Sequence, residues 1–107
     1  MSDEILVVLS TFPNLETARR ISRQLVEERC AACANILAPV ESIYRWEGKV
    51  ENANETLVLL KTSVDRYPAL ETTLRRLHPY EVPEIIALPV GRGLPDYLRW
   101  VSENCPG

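Results

Sequence analysis

Apolar positions run along the chain in two rhythms. Residues 4–11 form a dense run of Ile, Val and Leu closed by Pro13 and Asn14, which reads as a buried β-strand. The period then lengthens. Leu15, Ala18, Ile21, Ser22, Leu25 and Val26 recur at helical spacing, with Arg19, Arg20, Arg23, Glu27 and Glu28 on the other side. Asn14 is positioned to cap this helix, and Glu16 and Arg20, one turn apart, support it. From Cys33 to Trp46 the pattern becomes extended again, carrying Ile36, Leu37, Val40, Ile43, Tyr44 and Trp46 with a bend or bulge near Pro39. Glu47-Gly48-Lys49 reads as a turn, and residues 50–62 return through Leu57-Val58-Leu59-Leu60, so the two segments form a hairpin. A second helix is predicted from about Asp65, with Pro68 in its first turn and Tyr67, Leu70, Leu74 and Leu77 on its buried face. Pro79 ends it by His78, because the residue before a proline is pushed out of helical geometry. Residues 84–90 make the fourth strand, at an edge or ending at Pro89. Asp96 caps a short last helix whose Tyr97, Trp100 and Val101 share a face.

The resulting order, β-α-β-β-α-β-α, predicts an α+β, ferredoxin-like fold with an extra C-terminal helix, in one domain spanning residues 1–107. Four antiparallel strands would carry two helices on one face. The hairpin is the anomaly, since each arm is roughly 14 residues, or about 45 Å, against a usual five or six residues. A strand of that length outruns its own domain. Unless Ile43, Tyr44 and Trp46 are buried on another copy, they leave an exposed aromatic edge, so an oligomer is expected.

Composition narrows the partners. The chain is 46% hydrophobic and 25% charged, an ordinary globular balance, and its longest apolar run, Ile5 to Leu9, is strand-sized. That run is far below the roughly 18 to 20 residues of a transmembrane helix, so no membrane partner is expected. A net charge of −3 argues against nucleic acid, which is bound through clustered Lys and Arg. The acidic start, MSDEIL, is unlike a basic secretory signal and points to a cytoplasmic location. Cys30, Cys33 and Cys105 make an odd number in such a setting, so a disulfide framework is not expected.

Two motifs invite chemistry. Cys30-Ala-Ala-Cys33 has the spacing of a redox pair, but it follows the first helix, where the dipole disfavours a thiolate, so a buried structural role is expected. A zinc site of Cys30, Cys33, Cys105 and His78 has the ligand count without a second close pair. The segment His78-Pro-Tyr-Glu-Val-Pro-Glu-Ile85 holds the single histidine of the chain. His78 reads first as a helix C-terminal cap. The alternative is a ligand for Cu²⁺ or Zn²⁺ with Glu81 and Glu84 nearby, or a general acid-base group, for which no Ser or Cys nucleophile is visibly paired. Other roles known on this topology lack their residues: the first strand-helix loop, Ser10 to Asn14, has neither thiol nor arginine, and the runs ILVVL and LVLL display no aromatic platform for RNA.

The stretches Leu25 to Ile36 (LVEERCAACANI), Ser42 to Gly48 (SIYRWEG), Leu60-Lys61-Thr62, His78 to Ile85 (HPYEVPEI) and Tyr97 to Trp100 (YLRW) occur in the order found in the CutA family of divalent-cation tolerance proteins, which nearly the whole chain resembles. The resemblance implies a PII-like homotrimer whose long hairpins pair between subunits, with no enzymatic reaction and no obligatory cofactor. It also implies a link to copper and other divalent metals, with His78 the metal-ligand candidate. Some members carry a Cys at the end of the first strand and a His-His pair before Pro-Tyr; here these positions are Ser10, Leu77 and His78. By analogy with PII proteins, a small-molecule sensor would use clefts between subunits, with Tyr44, Trp46, Lys61, His78, Tyr80 and Glu84 as candidate lining.

Overall fold

The N-terminal apolar run forms strand β1 (Ile5–Phe12), one residue further along than its composition predicts because Phe12 still pairs with Thr56. In this computed structural model residues 4–106 are described; Met1–Asp3 of the acidic start and Gly107 lie outside the described residues. Asn14 caps α1 (Leu15–Glu27) as expected, its side-chain oxygen accepting from the Thr17 N–H at 2.8 Å. Ala18, Ile21, Ser22 and Leu25 are the buried face of that helix. Strand β2 (Cys33–Trp46) and strand β3 (Lys49–Ser63) are the two arms of the hairpin, joined by Glu47 and Gly48. The bulge at Pro39 is present: pairing runs to Leu37↔Leu57 and resumes at Val40↔Glu55.

Helix α2 (Tyr67–Leu77) starts two residues later than Asp65, because the Ser63 hydroxyl accepts the Arg66 N–H and holds residues 64–66 in a turn. Strand β4 (Ile86–Pro89) is shorter than residues 84–90, pairing only with Leu6 to Leu9 of β1, and it ends at Pro89. Helix α3 (Pro95–Asn104) is entered from Leu94, not capped by Asp96. Pro95 takes the first turn, where its missing N–H costs nothing, so Asp96 falls inside the helix and pairs with Arg99 at 3.1 Å.

The four strands form an antiparallel sheet in the order β2-β3-β1-β4. Because side chains alternate, one face carries Val8, Phe12, Val58 and Leu60 against Ile21, Leu25, Leu70 and Leu74 of α1 and α2. The register puts Leu9 beside Leu59 and Ile86, and Leu37 beside Leu57, on the opposite face. There α3 covers one end only, where Val101 and Cys105 pack on Ile5 and Ala32. The hairpin makes the molecule long, 45 × 25 × 21 Å, and its far half leaves Ile43 and Val50 69% and 65% exposed.

Candidate functional site

The segment after α2 is pinned by its histidine. Tyr80 donates its backbone N–H to His78 Nδ1 at 3.2 Å, which leaves the ring proton on Nε2, and Nε2–H donates to the Thr11 carbonyl at 2.8 Å. That carbonyl belongs to β1 just past its last pairing with β4, so the imidazole closes an edge that a longer strand would have covered. The ring stacks on Phe12, centroids 4.6 Å apart, and leans on Tyr80 at 4.8 Å. His78 is 7% exposed, and this burial lowers its pKa, opposed by the Thr11 carbonyl and by Glu55. It does take the C-cap position expected of it, through its backbone N–H to Leu74, but its side chain is turned away to β1 and does not cap the helix with charge.

Tyr80, held this way, reaches across to the hairpin. Its hydroxyl donates to Glu55 Oε2 at 2.7 Å, and burial together with that carboxylate raises its pKa. Between the far half of the hairpin and residues 80–84 lies a cleft of about 570 Å³, lined by Thr11, Ser42, Ile43, Tyr44, Trp46, Glu55, Tyr80, Glu81, Val82 and Glu84. Of the candidates read from the sequence, Tyr44, Trp46, Tyr80 and Glu84 therefore come together, while His78 lies behind the Tyr80 wall.

Lys61 does not line this cleft within the chain. It faces Cys33 across β2 and β3, donates from Nζ to Asn35 Oδ1 at 2.9 Å, and lies 5.7 Å from the Tyr97 ring centroid. Tyr97 in turn stacks on Trp100 and meets Cys33 Sγ at 3.7 Å. Glu55 and Thr11 were not singled out by the sequence; the available signal for Glu55 is its place two residues before Leu57, on the same face of the strand.

A divalent transition metal needs several donors converging on one point. Both His78 nitrogens are committed to backbone groups, the Ser10 hydroxyl is buried, and Leu77 packs against the core. Cys30 is buried with its thiol near Thr73, and the Cys105 thiol donates to the Val101 carbonyl. Among the described residues no three His, Cys, Asp or Glu side chains are grouped closely enough to hold a metal ion.

A family model described as "CutA1 divalent ion tolerance protein" matches residues 6–104. A divalent-cation tolerance protein CutA of Thermus thermophilus is 51% identical over 98 residues, covering 92% of this chain and 95% of that protein. Mouse protein CutA is 48% identical over 93 residues, 87% of this chain but 52% of its own length. Among solved structures, CutA from Xylella fastidiosa matches with a TM-score of 0.92 at 45% identity, covering 97% of this chain and 99% of that one.

Proposed function

The chain belongs to the CutA1 divalent ion tolerance family, and from that premise we propose that it is a non-enzymatic, homotrimeric binding protein of the cytoplasm that serves tolerance of divalent metal ions, copper among them. The family match along almost the whole chain carries the proposal. The trimer is supported by the apolar sheet face that α3 leaves open and by the aromatic hairpin beyond the domain body. The three unpaired thiols suit a reducing compartment.

His78 is the imidazole a Cu²⁺ ion would take, but its lone pair is on Nδ1, where it accepts the Tyr80 N–H, and Nε2–H is given to the Thr11 carbonyl, so a metal at either nitrogen displaces an existing hydrogen bond and the contact is weak. Equilibrium dialysis of Cu²⁺ against the native protein and His78→Gln tests this: the variant should bind less tightly, and equal stoichiometry and affinity remove His78 from the site. Circular dichroism of both proteins separates that result from unfolding.

A second reading, a PII-like sensor with ligand clefts at subunit boundaries, is favoured by the aromatic-walled cleft itself, whose volume lies in the range of small-molecule sites. A metabolite that binds there raises the melting temperature by mass action in a thermal-shift screen; no shift at millimolar ligand defeats this reading.

A further inference from the structure

The helix-bearing side of the sheet holds a second concavity, away from the face through which subunits pack. Residues 83–85 flank the last turns of α2, and between them lies a groove of about 610 Å³ lined by Glu71, Thr72, Arg75, Arg76, Pro83 and Ile85. Ile85 packs against the core cluster that contains Leu70 and Leu74, so the groove belongs to the α2 side of the sheet, opposite Leu37, Leu57 and Leu59. Assembly through that opposite face does not cover it.

The charges of the groove are unequal. Arg75 and Arg76 close α2, where the helix dipole favours cations. The dipole accounts for their position, yet each guanidinium carries five N–H donors, and among the described residues neither Arg is in an ion pair. The lining carboxylate, Glu71, already accepts from the Tyr67 hydroxyl at 3.2 Å. An anion entering the groove therefore meets two uncommitted guanidinium groups, in a chain whose net charge is −3.

Geometry selects the anion. Neighbouring helix positions point about 100° apart, so Arg75 and Arg76 leave α2 in different directions and reach one ligand from two sides. A planar carboxylate is satisfied by one guanidinium fork. A phosphate monoester presents a tetrahedral array of terminal oxygens and about two negative charges at neutral pH, enough to accept from both forks and from the Thr72 hydroxyl. Pro83 and Ile85, apolar and half-buried, give the organic part of such a ligand a surface to lie on.

We propose that the groove beside α2 binds a phosphate monoester, its phosphate held by Arg75, Arg76 and Thr72 and its apolar part laid on Pro83 and Ile85. This site is independent of the metal and subunit-cleft readings above.

Calorimetric titration of the full-length protein in its native assembly, at physiological salt and neutral pH, tests it with phenyl phosphate, benzoate and benzyl alcohol. Phenyl phosphate should saturate at one per chain and bind at least about tenfold more tightly than benzoate, the worth of one further charge-assisted hydrogen bond. Benzyl alcohol should bind more weakly than either. Arg75→Gln and Arg76→Gln should each weaken phenyl phosphate about tenfold, and Glu71→Gln, which removes the opposing charge, should tighten it. Arg20→Gln deletes an exposed charge of α1 that does not line the groove, and it should change little. Circular dichroism and native mass check that folding and assembly are the same in every variant. Benzoate or the alcohol binding as tightly as phenyl phosphate overturns the phosphate assignment. An equal loss in Arg20→Gln reduces the effect to net charge and overturns the site, as does the absence of saturable binding.

Discussion

At the scale of the residue, His78 does structural work with both nitrogens and is therefore sensitive to protonation. A second ring proton would sit on Nδ1, opposite the Tyr80 N–H, turning a hydrogen bond into a donor-donor contact. Burial already lowers the pKa from the usual 6.5, while the Thr11 carbonyl and Glu55 pull it upward. Between that usual value and the depressed native one, the unfolded chain binds a proton that the folded chain refuses. The His78 contribution to stability is thus complete above about pH 6.5 and is lost as pH falls through the native value. Urea unfolding at fixed protein concentration should show stability declining from pH 7.5 to 5.5, with a shallower decline in His78→Gln, whose amide offers one acceptor and one donor without titrating. An equal slope in both proteins would place the pH dependence elsewhere. None of this was legible from the sequence, because the decisive partner, Thr11, is 67 positions away.

At the scale of the element, the hairpin was the most legible part of the fold. Its arms follow the apolar runs, the bulge follows Pro39, and the turn follows Gly48. Glu47 and Gly48 both have positive φ, 50° and 82°, the requirement of a two-residue type I′ turn whose twist matches its strands. A Cβ on Gly48 would meet nothing within 4 Å, so the cost of Gly48→Ala is purely conformational. That substitution should destabilise the tip by about 1 to 2 kcal/mol, the penalty of left-handed backbone for a residue with a side chain. Glu47→Asn should recover part of it, since Asn tolerates that region. Faster hydrogen exchange at residues 44–51 in Gly48→Ala, reversed in the double variant, is the expected result. The starts of α2 and α3 were less legible than that of α1: Ser63 and Pro95 set them through turn and first-turn chemistry that overrides the apolar period.

At the scale of the whole molecule, the sequence pattern identified which residues share a face but not which end of the sheet each one occupies. Period-two alternation puts Lys61 on the face of Leu57 and Leu59, yet only the pairing with Cys33 shows that it belongs to the α3 end, away from Tyr44 and Trp46. That same face is the physical case for assembly. Ile86 and Leu88 are about half exposed, and Leu37 is 43% exposed, beside Leu9, Leu57 and Leu59 on a surface that α3 covers only near Ile5. An apolar sheet face of this kind is a liability in a lone chain and an interface core in an assembly. The two cases separate at Leu88, which is 53% exposed in the isolated chain. A glutamate there would cost a monomer little, because its charge would be solvated. In a homotrimer packed through this face, Leu88→Glu buries three charges together without partners, and several kcal/mol oppose assembly. Native mass spectrometry should find the unsubstituted protein at three times the chain mass and the variant dissociated, with its Tm lowered and no longer dependent on concentration as that of the trimer is. An unsubstituted protein of single-chain mass, or a Leu88→Glu trimer with unchanged Tm, would show that this face is not what holds the subunits.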